Sequence, residues 1–210
     1  MNVLYLDASR DRLSVGLDTA GSWRVLERIE GRHDEILLES VETLCESANL
    51  RLQELDRCVV VNGPGSFTGL RITVSAVHAL DAVHPLRVLP IDQLSLLASM
   101  HADAAEAVID AKMGEAYYGR ELGGTGLFTA IDVIPLDRLP TAGLRVCHAH
   151  ECDLFANVTG VTPGLDNLRE LAHRQPESAW IAGGQLTPRY VRNTVSWKPL
   201  SEQPSKLYDR

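Results

Sequence analysis

An apolar, β-branched run, Val59-Val60-Val61, meets a turn made of Gly63, Pro64 and Gly65, and a helical pattern starts directly beyond it. Residues 59–72 constrain the fold of this chain more than any other stretch. Such a run, halted by glycine and proline, reads as a buried strand entering a tight turn. Ser66 or Thr68 can cap the helix that follows, predicted over residues 68–81. Strand, glycine turn and helix N-terminus in succession aim free backbone N–H groups outward, which suits an anion or an approaching backbone. Turns of this kind also serve as plain connections needing only small residues, and geometry alone favours that reading.

Around this unit the chain alternates in a regular way. Residues 3–6, 13–17 and 23–29 are short apolar or alternating runs separated by polar turns, and predict an antiparallel meander. The first of them ends in Asp7-Ala8-Ser9, a carboxylate and a hydroxyl at a turn. Residues 34–48 switch to helical spacing. Leu37, Val41, Leu44 and Ala48 recur on one face, Glu35, Glu39, Glu42 and Glu46 lie on others, and Asp34 is placed to cap the start. A strand over 87–91 and a helix over 92–100 follow. The second half repeats the theme, with strands at 107–111, 116–120, 127–134 and 144–147 and a helix at 166–174. Gly123-Gly124-Thr125-Gly126 forms a hairpin turn. The expected division is an N-terminal lobe over 1–102 and a C-terminal lobe over 103–210.

Twenty basic against 28 acidic residues give a net charge of −8, which argues against gripping nucleic acid through a broad basic surface. Arg189, Arg192 and Lys198 form only a modest basic cluster. No stretch approaches the ~20 apolar residues that a membrane-spanning helix needs. The amino terminus lacks the pattern of a secretion signal, so a cytoplasmic protein with reduced cysteines (Cys45, Cys58, Cys147 and Cys152) is expected.

A meander followed by strand–helix units, twice over, is the plan of the α/β actin-like ATPase (ASKHA, RNase H-like) fold: two related lobes with mixed sheets flanked by helices. Gly63-Pro64-Gly65-Ser66-Phe67-Thr68-Gly69-Leu70-Arg71-Ile72 resembles the signature of the TsaB (YeaZ) family, which takes part in the threonylcarbamoyl modification of adenosine in tRNA. Three other places agree in order along the chain. Val3-Leu4-Tyr5-Leu6-Asp7-Ala8-Ser9 resembles the family's opening strand and Asp-Thr-Ser turn, with Ala8 where threonine is usual. Ile109-Asp110-Ala111-Lys112-Met113-Gly114-Glu115-Ala116-Tyr117 resembles its Asp-Ala-Arg hairpin, with Lys112 where arginine is common. Pro188-Arg189-Tyr190-Val191-Arg192-Asn193 with Trp197-Lys198 resembles its carboxy-terminal pattern.

The resemblance implies a subunit without catalytic residues of its own. Such a subunit is required for modification at adenosine 37 of ANN-decoding tRNAs, and binds and activates a catalytic TsaD-type paralogue. It further implies a TsaE-type accessory ATPase as a second partner, a homodimer when the paralogue is missing, tRNA met only indirectly, and no membrane. The contact surface it implies lies on the two helices, at Leu37, Val41, Leu44, Thr68, Arg71, Ile72, Ser75, Ala76 and Ala79. Asp7, Ser9, Gly63 and Gly65 are candidate remnants of a nucleotide loop, with Ala182-Gly183-Gly184-Gln185 a further one. No firmly bound cofactor is expected, and ATP is a candidate only at a composite interface.

The alternative is an active ATPase, kinase or peptidase-like enzyme of the same fold. The catalytic paralogue carries two histidines one turn apart on one helix. Here His33 stands alone, because position 37 is leucine, so no metal site is expected.

Overall fold

A computed structural model describes residues 1–140 and 142–192 of the chain. The expected Trp197-Lys198 pattern, Asn193 and the basic residue Lys198 lie outside the described residues. The opening meander is present: β1 (Val3–Asp7), β2 (Leu13–Thr19) and β3 (Ser22–Ile29) pair antiparallel, with Leu6 opposite Val15 and Gly16 opposite Val25. Helix α1 (His33–Ser47) then leads to β4 (Arg57–Val61), which runs parallel to β1. Helix α2 (Phe67–Val83) and β5 (Arg87–Ile91) complete a parallel crossover onto β4.

With β11 (Ile181–Ala182) at one edge, this first sheet has the order β11-β5-β4-β1-β2-β3 among the described residues. Side chains of a strand point alternately to its two faces, so each face gathers its own core. Leu4, Leu6, Val60 and Val88 face α1 and α2, where Leu37, Val41, Leu44, Val77 and Leu80 meet them. Val3, Tyr5, Val59, Val61, Leu89 and Ile91 face the opposite way.

A short buried helix, α3 (Gln93–Ala98), is capped by Asp92, whose carboxylate accepts from the Ser95 backbone N–H over 2.8 Å. It leads into a second sheet of order β10-β9-β6-β7-β8. The strands are β6 (Glu106–Lys112), β7 (Glu115–Leu122), β8 (Phe128–Pro135), β9 (Arg145–His148) and β10 (Val158–Val161). Leu94, Leu97, Ala107, Ile109, Phe128 and Val146 form the core between α3 and this sheet.

The chain then returns to the first sheet. Helix α4 (Leu165–His173) lays Leu165, Leu168, Leu171 and Ala172 over its second face, and β11 (Ile181–Ala182) pairs antiparallel with β5. The expected lobe over 103–210 differs from this arrangement: only 106–161 build the second sheet, while 165–182 complete the first. The reason is burial. Without α4, the apolar face carrying Tyr5 and Val61 would stand open.

A second difference concerns the start of α1. Arg32, not Asp34, is the N-cap residue, with no side-chain cap. Asp34 stands one residue inside the first turn, where its carboxylate accepts from the Arg32 guanidinium over 2.7 Å and faces the positive helix end. Ser66 caps α2 as expected, its hydroxyl accepting from the Gly69 backbone N–H over 3.2 Å.

Candidate functional site

The glycine turn packs directly on the loop that ends β1. The Ser66 backbone N–H donates to the Ser9 carbonyl over 2.6 Å, and Gln93 N–H donates to the Gly63 carbonyl over 2.9 Å. Gly63 has φ +126°, a conformation that favours glycine, and a Cβ there would lie 2.7 Å from the Arg189 carbonyl oxygen. An added Cβ would collide with Ser9 at Gly65 and with the Ala8 carbonyl at Gly69. The glycines therefore let two backbone segments touch.

Asp7, Ser9, Gly63 and Gly65 are thus brought together. Ser9 is buried; its backbone N–H donates to Asp7 Oδ1 over 2.9 Å, and its hydroxyl lies 2.6 Å from that oxygen and 3.0 Å from Gln93 Oε1. Burial raises the Asp7 carboxyl above its ordinary pKa, while the two Ser9 bonds oppose the rise. Gln93 Nε2 in turn lies 3.4 Å from His148 Nε2, reaching from α3 to the end of β9. His148 is 3% exposed, and burial, then Arg10, then His150 hold its pKa down at about 3. It is a neutral ring that accepts from Gln93.

This chain of contacts floors a cleft of about 310 Å³ between the sheets, walled by Arg10, Arg28, Glu27, His150 and Leu168 among others. The α4 N-terminus at the cleft is already occupied: the Leu165 N–H donates to Glu27 Oε1 over 2.6 Å. The Gly183-Gly184 loop is not part of the cleft. Gly183 packs against Asp81 near the C-terminal end of α2, and its N–H donates to Leu86.

The second surface is the outer side of α1 and α2. A groove of about 470 Å³ runs between them, lined by Asp34, Leu37, Leu38, Phe67, Thr68, Arg71, Ile72, Ser75, Ala76 and Ala79. Seven of the nine expected surface positions therefore line this one groove, six of them on α2. Those on α1 differ. Val41 and Leu44 belong to the core, and Leu37 is 1% exposed at the groove floor, whereas the neighbouring Leu38 is 47% exposed. The spacing of four and three that marks Leu37, Val41 and Leu44 is the inward stripe of α1, and its outward apolar residue is Leu38.

Phe67, 56% exposed, extends the groove rim. The Arg71 guanidinium stacks 3.8 Å over the Phe67 ring and donates to the Tyr190 hydroxyl over 2.9 Å. Phe67 and Tyr190 were legible only as members of motifs; nothing in their spacing marked them as exposed aromatics.

His33 opens α1 with Leu37 one turn later, and among the described residues no three His, Cys, Asp or Glu side chains gather to hold a metal. Arg189 pairs with Asp92 at 3.6 Å and Arg192 donates to Glu115, so neither is a free cation for a phosphate backbone. No helix among the described residues is long and apolar enough to cross a membrane.

Residues 27–135, just over half of the chain, match the family described as TsaD, tRNA N6-adenosine threonylcarbamoyltransferase. The tRNA threonylcarbamoyladenosine biosynthesis protein TsaB of Haemophilus influenzae is 26% identical over 95% of this chain and 97% of its own length. The Escherichia coli protein of the same name is 27% identical over 95% and 98%. Among solved structures, a Pseudomonas aeruginosa protein described as similar to peptidase YEAZ superposes with a TM-score of 0.73 at 26% identity, covering 91% of this chain and 99% of its own. These relatives match this chain over more than nine-tenths of its length. The chain belongs to the TsaD family and, within it, to the TsaB (YeaZ) group.

Proposed function

We propose that this chain serves tRNA threonylcarbamoyladenosine biosynthesis as an accessory subunit in the cytoplasm, docking the α1–α2 face onto a catalytic TsaD-type paralogue. The observation that carries this reading is the apolar groove between α1 and α2, rimmed by exposed Leu38 and Phe67. Small residues along its floor, Ser75, Ala76 and Ala79, let a partner helix approach closely. A related protein with the same helix pair would close a four-helix interface, and a second copy of this chain would form the same contact in the paralogue's absence.

The reaction on adenosine then belongs to the paralogue, with a TsaE-type ATPase as the third member and tRNA met through the complex. The Asp7–Ser9 turn supports this division. The Ser9 hydroxyl lies within hydrogen-bond reach of the Asp7 carboxylate and of Gln93 Oε1, and Ala8 supplies no hydroxyl for a phosphate. ATP would meet this chain only at a composite interface. The deciding experiment purifies the three proteins and measures modified tRNA with and without this chain. Full modification without it, or robust ATP turnover by this chain alone, would overturn the reading.

A further inference from the structure

Away from the α1–α2 face, the sulfurs of Cys147 and Cys152 stand 3.4 Å apart. Cys147 is fully buried on β9, and Cys152 is half-buried in the 3-10 turn Ala149–Leu154 that follows. Two sulfurs at that separation are already in contact, and a bond requires them to close to about 2.05 Å. The fold makes room for the outer one. Gly160 on β10 lies against Cys152 Sγ, and a Cβ there would displace it. Cys45 and Cys58 are buried in the core of the first sheet, beneath α1 and α2.

We infer that Cys147 and Cys152 are a reversible oxidation site, closing to a disulfide on exposure to a peroxide and reopening with a dithiol reductant. Cys152, the more accessible thiol, attacks hydrogen peroxide as its thiolate. The O–O bond breaks, hydroxide leaves, and Cys152 becomes a sulfenic acid. The Cys147 sulfur then attacks the Cys152 sulfur and the S–O bond breaks. The Cys147 proton leaves with the departing hydroxide as water. In sum, two thiols lose two hydrogens with their electrons and one peroxide becomes two waters. Burial pushes the Cys147 thiol up to about 12, which disfavours its thiolate and leaves the first attack to Cys152, while contact with the Cys152 sulfur is what equips Cys147 for the second step.

The turn that would move carries more than the thiol. His150 accepts from the Arg10 guanidinium, and Glu151 accepts from the Asp110 backbone N–H over 3.1 Å. His148, next to Cys147, holds Gln93 at the cleft floor. Drawing Cys152 inward therefore shifts one wall of the cleft against the other.

Both cysteines lie on one tryptic peptide, because no Lys or Arg stands between Arg145 and Arg169. The full-length protein is treated with hydrogen peroxide, quenched, denatured, alkylated with iodoacetamide and digested. The expected result is loss of both alkyl groups from peptide 146–169, which becomes two hydrogens lighter, and their return when dithiothreitol precedes alkylation. In Cys147→Ser, Cys152 is expected to be trapped by dimedone; in Cys152→Ser, Cys147 remains alkylatable after peroxide. A peptide that stays fully alkylated under peroxide, or that carries a sulfinic Cys152 beside a free Cys147, overturns the inference. The wild-type peptide decides even where a serine variant fails to fold.

Discussion

Gly69, in the first turn of α2, lies against the carbonyl of Ala8 with no space for even a methyl group between them. The contact joins the signature segment to the end of β1, two elements separated in sequence by β2, β3, α1 and β4. Gly69→Ala gains helix propensity but forces the two backbones apart, and overpacking of this kind costs about 1–3 kcal/mol. Urea unfolding measures it. Gly124→Ala, at a hairpin turn with open space around it, is the matched control and stays within about 0.5 kcal/mol of wild type.

Adjacent leucines on α1 separate core from surface. Leu38→Glu retains the wild-type melting temperature, because Leu38 is half-exposed, and weakens binding to the TsaD-type paralogue roughly tenfold or more. Leu37→Glu buries an unpaired carboxylate beneath α1 and prevents folding. Titration calorimetry on the folded Leu38→Glu protein makes the comparison. Wild-type affinity there would remove α1 from the interface.

His148 sets an acid limit on stability. Its folded-state pKa of about 3 lies below the ordinary 6.5, so the unfolded chain binds the extra proton between those values. The contribution is complete above pH 6.5 and falls away as pH drops toward 3. Between pH 7 and pH 5 the loss amounts to about 2 kcal/mol. His148→Gln keeps a partner for Gln93 and has no proton to take up, so its stability falls less over the same interval. Raised Asp7 and Asp92 act in the opposite sense in both proteins, and the difference between the two isolates the histidine. Denaturant midpoints at the two pH values check it.

Arg145 is 1% exposed and bonds Glu106 over 2.6 Å, while Tyr118 donates its hydroxyl to the other carboxylate oxygen, also over 2.6 Å. Removing one partner of such a pair strands the other charge. Arg145→Leu is expected to destabilise the protein by roughly 3 kcal/mol, and adding Glu106→Gln to recover part of it. Thermal unfolding of both single variants and the double variant measures the coupling.

Much of this fold is written in periodicity. Strands with alternating or β-branched runs, and helices such as α2 with a capping Ser66, follow from local rules. What the periodicity left out depends on partners. Ile181–Ala182 is a strand only because the β5 edge accepts it, and the Val158–Val161 run contains a glycine that makes sense only beside Cys152. The site was legible to the same degree. Its glycines and the α2 face stand out in the sequence, but a spacing rule marks an apolar stripe without saying which side meets the core. Leu37 was therefore named for the contact surface, whereas Leu38, the exposed neighbour, was not named at all. The contacts of His148 with Gln93 and of Cys147 with Cys152 carry no local signal, since they arise from the packing of α3 on β9 and from the turn after it.

The return of α4 and β11 to the first sheet has a consequence for synthesis. A ribosome that has released residues 1–102 has made β1 to β5, but the face holding Val3, Tyr5, Val59, Val61, Leu89 and Ile91 still lacks Leu165, Leu168, Leu171 and Ala172 of α4. That cover emerges only after the whole of the second sheet. The first-made half thus cannot finish folding first, and the nascent chain must hold an open apolar sheet until its own late segment arrives.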